Sequence, residues 1–412
     1  MTDTDQLTTP QLDLPPAPLL GDASGTDSLR VGAFLLSAQF PGQDHGAVLR
    51  RTVAAAETAE RSGLDSVWLA EHHFVPYGVC PDAATLAALL LGRTRRIGVG
   101  TAVSVLSTTH PVALGEKAAL LHLTSDGRFT LGVGRGGPWI DLAVFGTGAA
   151  AYEEGFGERL DLLLRWLRGT RVGAQGPQFS FPAVDVVPRA TGPRPADLAD
   201  WLDGRPLTRF PRQRPGGGAV DGALPIGGHS VTSDPAQGGP PVIAACTSPA
   251  GVRAAAERGL PMLLGMHSGD EDKSLMLEAY RTAWRECGRG EEQLARVERE
   301  HMAAGVVQIE DRTATARARL LAAMPGWFEH GLGAHRTVDG RERRMRDPRE
   351  YTELLCDLHA VGTPRQAADR LLATAERTGI RRFALLAEGS GEHAATMENI
   401  ARLGTEVLPQ LD

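Results

Sequence analysis

The sequence predicts a (β/α)8 TIM barrel with a Pro/Gly-rich loop insertion. Short apolar, β-branched runs alternate with helical stretches along the chain, eight such runs can be traced, and the residues with chemical character sit where the runs end. Near-continuous apolar strands separated by helices argue for a parallel sheet covered on both faces. Eight of them favour a closed barrel over an open doubly wound sheet. A chain of 412 residues could be one barrel or two ordinary domains, and the count of βα units decides for the barrel.

The elements follow in order. Residues 1–28 are rich in Thr, Pro, Asp and Leu, with no basic start leading into an apolar run, and read as a disordered tail rather than a signal peptide. The barrel is expected over 29–412. LRVGAFLL (29–36) is a buried strand, followed by a helix over 46–63 that ends on its own glycine. Strand 65–71, helix 82–91 stopping at Gly92, strand 97–106 and helix 111–125, with Pro111 in its first turn, repeat the unit. A fourth strand, 129–134, leads through a loop to a helix over about 153–168. From 183 to 239 the texture turns to Pro, Gly, Arg and Asp, which reads as an insertion in a surface loop, since so few apolar groups cannot offset the entropy of ordering it. The rhythm resumes with strand 241–246, helix 249–259, strand 262–264, helix 273–287 and strand 302–309. A polar, partly aromatic stretch over 324–348 precedes helix 363–379, strand 382–386 and a closing helix through Leu403.

Composition excludes several function classes. A net charge of −7 leaves no basic field with which to grip nucleic acid or an anionic membrane. The local exception, RERRMR (341–346), reads as a solvated helix face rather than a docking patch. Cys80, Cys246, Cys287 and Cys356 lie far apart with no CxxC spacing, which speaks against disulfides and zinc and for a reducing, cytoplasmic setting.

In a barrel of this class the working face is the C-terminal end of the strands. Glu71, His72 and His73 close the second strand there. Metal ligation explains them poorly, because neither a helical HExxH nor an HxH pair with a carboxylate is in view. An imidazole whose ordinary pKa is near ~6.5 suits general acid or base chemistry. GVGRGG (132–137) fits the GxGxxG fingerprint on paper, but Pro138, Trp139, Ile140 and Asp141 follow where a helix should open. It reads instead either as bare backbone approached by a flat ligand or phosphate, with Arg135 as a charged fork, or as a glycine-rich turn with a solvated arginine. Thr247 and Ser248 stand at the start of a helix opened by Pro249, where free N–H groups favour a phosphate; Ser248 equally suits a helix cap, and the two roles are compatible. Phe34, Tyr77, Trp139, Met266, Trp327 and Phe328 are the candidates for an apolar, roomy substrate pocket.

AEHHF (70–74), GTAVSVLSTTHPVALGEKAALLHLTSDGRF and GVGRGGPWIDLAVFG together resemble the bacterial luciferase-like flavin monooxygenases. The likeness runs from Leu29 onward, resuming with VIAACTSPAGVRAAAERGLPMLLG and VGTPRQAADRL. It implies a barrel that takes reduced FMN from a separate flavin reductase and, with O2, oxygenates a small or medium organic substrate. A homodimer packed through the second and third helices is implied as well. His72 matches the family's catalytic histidine, with Glu71 and His73 orienting it. Thr101 and Ala102 match a non-proline cis peptide behind the flavin ring. Arg135, Ser248 and the Gly251 amide match the phosphate clasp, beside Thr247. Gly134 stands where luminescent members carry a reactive cysteine, which argues against light emission. The competing expectations are hydride transfer with the deazaflavin F420 in the same superfamily, and a flavin-binding protein without catalysis.

Overall fold

The computed structural model describes residues 28–189, 239–341 and 345–411. The expected tail, apart from Ser28, and positions 190–238 of the expected insertion lie outside them. Twelve strands occur among the described residues: β1 Arg30–Leu35, β2 Ser66–Leu69, β3 Gly98–Thr101, β4 Ser104–Val105, β5 Phe129–Gly134 and β6 Arg171–Gln175, then β7 Ser180–Asp185, β8 Val242–Cys246, β9 Met262–Leu264, β10 Met302–Ile309, β11 Ala360–Gly362 and β12 Arg382–Leu386. Eight form the barrel in the order β1-β2-β3-β5-β8-β9-β10-β12, all parallel, and β12 pairs back onto β1 to close it. This is the expected (β/α)8 architecture. The antiparallel β6–β7 hairpin lies outside it, and the stretch read as insertion begins inside that hairpin, since 183–185 are strand.

Alternation along each stave builds two cores. Val31, Ala33 and Leu35 face the helices in one cluster, while Phe34, Trp68, Ile243, Met302 and Leu386 belong to a second that fills the barrel. Trp68 plugs the interior and donates its indole N–H to Ser66 Oγ at 2.8 Å. Gly100 makes room for it, because a Cβ there would meet the Trp68 ring at 2.4 Å.

Helix ends follow the sequence signals. Asp82, Ser248 and Thr363 cap the helices Ala83–Arg93, Pro249–Arg258 and Pro364–Thr378, and Gly259 and Gly379 close the latter two with φ of 65° and 76°. Gly92, expected to stop its helix, lies within it. Four further differences have local causes. The strand expected over 97–106 is broken into β3 and β4 by a non-proline cis bond between Ala102 and Val103, one residue beyond the expected Thr101–Ala102 position. The polar, partly aromatic stretch over 324–348, given no element, opens inside the helix Thr313–Gly331, whose internal Pro325 disguised it; Trp327 and Phe328 are buried there. Helix Glu291–Glu298 is short and charged on most of its surface, and only Leu294 and Val297 are buried. The basic run 341–346 is not helical at its described positions, and Arg346 turns to the barrel opening. Among the described residues no helix is long and apolar enough to cross a membrane.

Candidate active site

A cavity of about 560 Å³ opens at the C-terminal ends of the strands. Phe34 and Leu36 enter it from β1, Ala70 and His72 from β2, and Ala102 and Val103 from beyond β3. Thr247 follows β8, and Gly265, Met266 and His267 follow β9. Tyr77, Phe328, Leu332 and Tyr351 complete an apolar wall, with Met345 and Arg346 at the rim.

The three residues closing β2 divide because the backbone turns there. His72 points into the cavity, with its main-chain N–H bound to the Cys80 carbonyl at 2.9 Å and its ring edge-on to Tyr77 at 4.9 Å. Gly78 packs against it so closely that a Cβ would lie 2.6 Å from Nδ1. Burial pushes the His72 pKa down to about 3, and His335 and His73 press the same way, so the ring is neutral at working pH. Nδ1 is buried without a hydrogen-bond partner among the described residues. Glu71 turns away from the cavity: one oxygen accepts the Val105 N–H at 3.0 Å and the other the Ala83 N–H at 3.2 Å. His73 lies 3.5 Å from Glu71 and edge-on to Phe145 at 4.9 Å. Of the three, His72 alone lines the cavity.

The other candidates separate in the same way. Ala102 lines the cavity, whereas the Thr101 hydroxyl spends both hydrogen bonds on the Gly132 main chain, at 2.7 and 2.9 Å, and staples β3 to β5. Thr247 lines the cavity, while Ser248 Oγ accepts the Gly251 N–H at 3.3 Å as the helix cap. Arg135 is exposed, its guanidinium 4.1 Å from the centre of the Tyr152 ring. Phe34, Tyr77, Met266 and Phe328 are walls as expected. Trp327 is not: it lies behind Tyr77, stacked at 4.7 Å, with its indole N–H on the Tyr77 carbonyl at 3.1 Å. Trp139 also stands off the cavity, packed on His335 at 4.8 Å, and Ile140 N–H binds the Arg336 carbonyl at 2.9 Å, joining the loop beyond β5 to the segment beyond the long helix. A Cβ at Gly134 would come within 2.5 Å of Val103 Cγ2, so a side chain there would displace the wall.

Sequence reasoning missed several residues. His267 follows β9 directly, so the rule that picked His72 would have found it. Leu332, Met345, Arg346 and Tyr351 depend on recognising two unforeseen helices, Thr313–Gly331 and Pro348–Leu358. Glu388, just past β12, is wholly buried; its Oε2 accepts the Leu36 N–H at 2.7 Å and Arg51 lies 3.8 Å from Oε1. Burial pushes its carboxyl above the usual range while Arg51 opposes the rise, and the residue fixes the cavity-lining end of β1.

Comparison with known proteins bears on the family and the fold. A family model described as luciferase-like monooxygenase matches residues 29–382. The alkanal monooxygenase alpha chain of the Kryptophanaron alfredi symbiont is 25% identical over 400 residues, covering 93% of this chain and 98% of that one. Monooxygenase RslO1 from Streptomyces bottropensis superposes with a TM-score of 0.70 at 20% identity, over 92% of this chain and 99% of the other. The oxygenating constituent of 3,6-diketocamphane monooxygenase from Pseudomonas putida, solved with FMN, gives 0.66 at 19%, over 93% and 99%. An F420-dependent secondary alcohol dehydrogenase gives 0.61 at 14%, over 93% and 99%. These three structural likenesses speak for the fold.

Proposed function

Since this chain belongs to the luciferase-like monooxygenase family, a flavin-dependent class, we propose that it uses reduced FMN and O2 to oxygenate a small or medium organic substrate. The observation that carries this reading is the cavity itself, where a neutral, half-buried His72 faces an apolar chamber of about 560 Å³. Ligand pockets span roughly 300–1,000 Å³, so a flavin ring with a substrate fits the space. Among the polar side chains on its wall, His72 and Thr247 offer donors, which suits the oxygen-rich edge of a flavin and its phosphate.

Bound reduced flavin would supply the electrons that activate oxygen. The protein's part is to bind, orient and exclude water. Ala102 and Val103 would support the ring, and Thr247 with the free N–H groups at the start of helix Pro249–Arg258 would hold the phosphate. Arg135 would join them by leaving Tyr152, and Ser248 would combine capping with a phosphate contact. Thr101 would act from behind, through its bonds to β5. A neutral imidazole both donates and accepts, so His72 would hold a proton at the reacting oxygen and pass it on rather than store it. Glu71 would position the residues beyond β3, and His73 would pack beside it. The apolar wall would keep water from the reaction.

A separate reductase would deliver the flavin, and four unpaired cysteines suit a cytoplasmic setting. We place a homodimer interface on helices Ala83–Arg93 and Pro111–Thr124, where Leu89, Leu120 and Leu123 are 49%, 54% and 46% exposed. Sedimentation of Leu120→Glu should then show a monomer. The second reading, hydride transfer with F420, is favoured by the likeness to the secondary alcohol dehydrogenase. Anaerobic and aerobic assays with each reduced cofactor separate the two: FMN-dependent, oxygen-requiring product formation is expected, and turnover with F420 in the absence of oxygen would refute the monooxygenase. Binding of FMN with no oxygen consumption under any substrate would leave a flavin-binding protein instead.

A further inference from the structure

We propose that Arg346, with His267 beside it, anchors an anionic oxygen group, such as a carboxylate, on an otherwise apolar substrate. The inference deepens the monooxygenase reading and rests on it.

No aspartate or glutamate lines the cavity among the described residues, and Arg346 supplies the one fixed charge on its wall. Arg346 makes no ion pair among the described residues. Its neighbour Asp347 is committed elsewhere, accepting the N–H groups of Arg349 and Glu350 at 2.9 Å each to cap helix Pro348–Leu358. A guanidinium fork exposed at the edge of an apolar wall, with no carboxylate paired to it among the described residues, is suited to a carboxylate from outside. His267 stands close enough to Arg346 to feel its charge, and burial first, then Arg346, depress its pKa; Asp272 opposes this and Lys273 adds to it. It therefore offers a neutral donor beside the cation.

Position around the rim separates this anchor from the flavin side. Ala102 and Val103 follow β3, Arg135 follows β5 and Thr247 follows β8, which are consecutive staves. Arg346 belongs instead to the segment between helices Thr313–Gly331 and Pro348–Leu358, beside Phe328, Leu332, Met345 and Tyr351. A substrate body lying on those side chains would bring its polar end to Arg346 and the rest toward His72. On a chain of net charge −7, a positive rim would also draw an anion toward this opening in preference to the rest of the surface.

The test uses a matched pair of probes, 2-naphthoate and 2-naphthamide, titrated calorimetrically into the full-length wild type, Arg346→Gln and Arg346→Lys. The wild type should prefer the naphthoate by about tenfold or more. Arg346→Gln should abolish the preference while leaving naphthamide affinity within about twofold, and Arg346→Lys should restore part of it. Equal binding of the two probes by the wild type, binding of neither, or a preference that survives Arg346→Gln overturns the proposal. Parallel titrations compare FMN with riboflavin. If Arg346→Gln weakens FMN but not riboflavin, the residue holds the flavin phosphate and the substrate anchor is overturned. Normal FMN binding by a wild type without naphthoate preference removes only the anchor, whereas failure to bind FMN removes the flavin reading itself.

Discussion

The Glu71 carboxylate and the Val105 main-chain N–H are joined by a 3.0 Å hydrogen bond across 34 residues of sequence, in a buried setting. The second carboxylate oxygen takes the Ala83 N–H, so one side chain ties the end of β2 to the strand beyond the cavity floor and to the next helix. Glu71→Ala would strand both donors away from water, at roughly 1–3 kcal/mol for each. Glu71→Gln keeps one good acceptor and should lose less. Urea unfolding of the two variants checks the order, and an alanine variant as stable as the wild type would remove the strut role.

His72 leads to an activity prediction. Because burial holds its pKa near 3, the ring stays neutral across the assay range, and the rate should show no ionisation that vanishes in a His72 variant between about pH 5 and 9. His72→Ala should lower oxygenation ~100-fold or more while FMN affinity stays within about twofold, as expected of a group acting on a proton rather than on cofactor binding. A rate within a factor of two of wild type would sink the assignment. A limb of the pH profile near 6.5 that disappears in His72→Ala would instead show that the ring titrates in place.

How far the sequence could lead is visible in individual residues. The barrel was legible because each stave is a short apolar run whose neighbours in sequence become its neighbours in the sheet. His72 was legible for a related reason, since a polar residue ending an apolar strand stands out. Trp327 was misassigned because an aromatic next to Phe328 looks equally suited to the wall, and only the helix Thr313–Gly331 turns one ring to the cavity and the other behind Tyr77. Arg346 was hidden in a basic run whose helical reading failed, and its role depends on where two long-range helices bring the chain. Thr101 and Ser248 carry the right chemistry for a cofactor, but main-chain groups already engage both hydroxyls, those of Gly132 across the sheet and of Gly251 in the helix that Ser248 caps.

Ser248 can be examined for both of its roles at once. Its Oγ caps helix Pro249–Arg258 through the Gly251 N–H, and loss of such a cap costs about 1 kcal/mol. Ser248→Ala should therefore lower the unfolding midpoint modestly whatever else it does. If the same hydroxyl also meets the phosphate, FMN should bind several-fold more weakly to the variant and riboflavin no differently. Equal losses for FMN and riboflavin would leave the cap as its whole function. If the hydroxyl does meet the phosphate, Ser248→Asp should restore stability without restoring FMN binding, because the new carboxylate caps the helix but repels the phosphate.

Acid stability follows from three histidines, His301 buried and His72 and His359 half-buried. Burial depresses His72 and His301 to about 3 and His359 to about 4, while in the unfolded chain each titrates near ~6.5. Between those values the unfolded state binds more protons, so the stability these groups contribute is complete above pH 6.5 and is lost as pH falls through the folded pKa. Each histidine then adds a slope approaching about 1.4 kcal/mol per pH unit within the window. His301 and His359 are the groups to change, since His301 Nδ1 accepts the Met262 N–H at 2.9 Å and His359 Nε2 meets the Met266 carbonyl at 2.6 Å. Asparagine at 301 and glutamine at 359 can reproduce those bonds without titrating. The urea midpoint of the wild type should fall steadily from pH 6.5 to 4.5, and the double variant should fall less steeply over the same range. Parallel curves for the two proteins would mean that other groups control the acid limb, with the carboxyls of Asp82 and Glu60, held below their usual range, the first to test, because they act in the same direction.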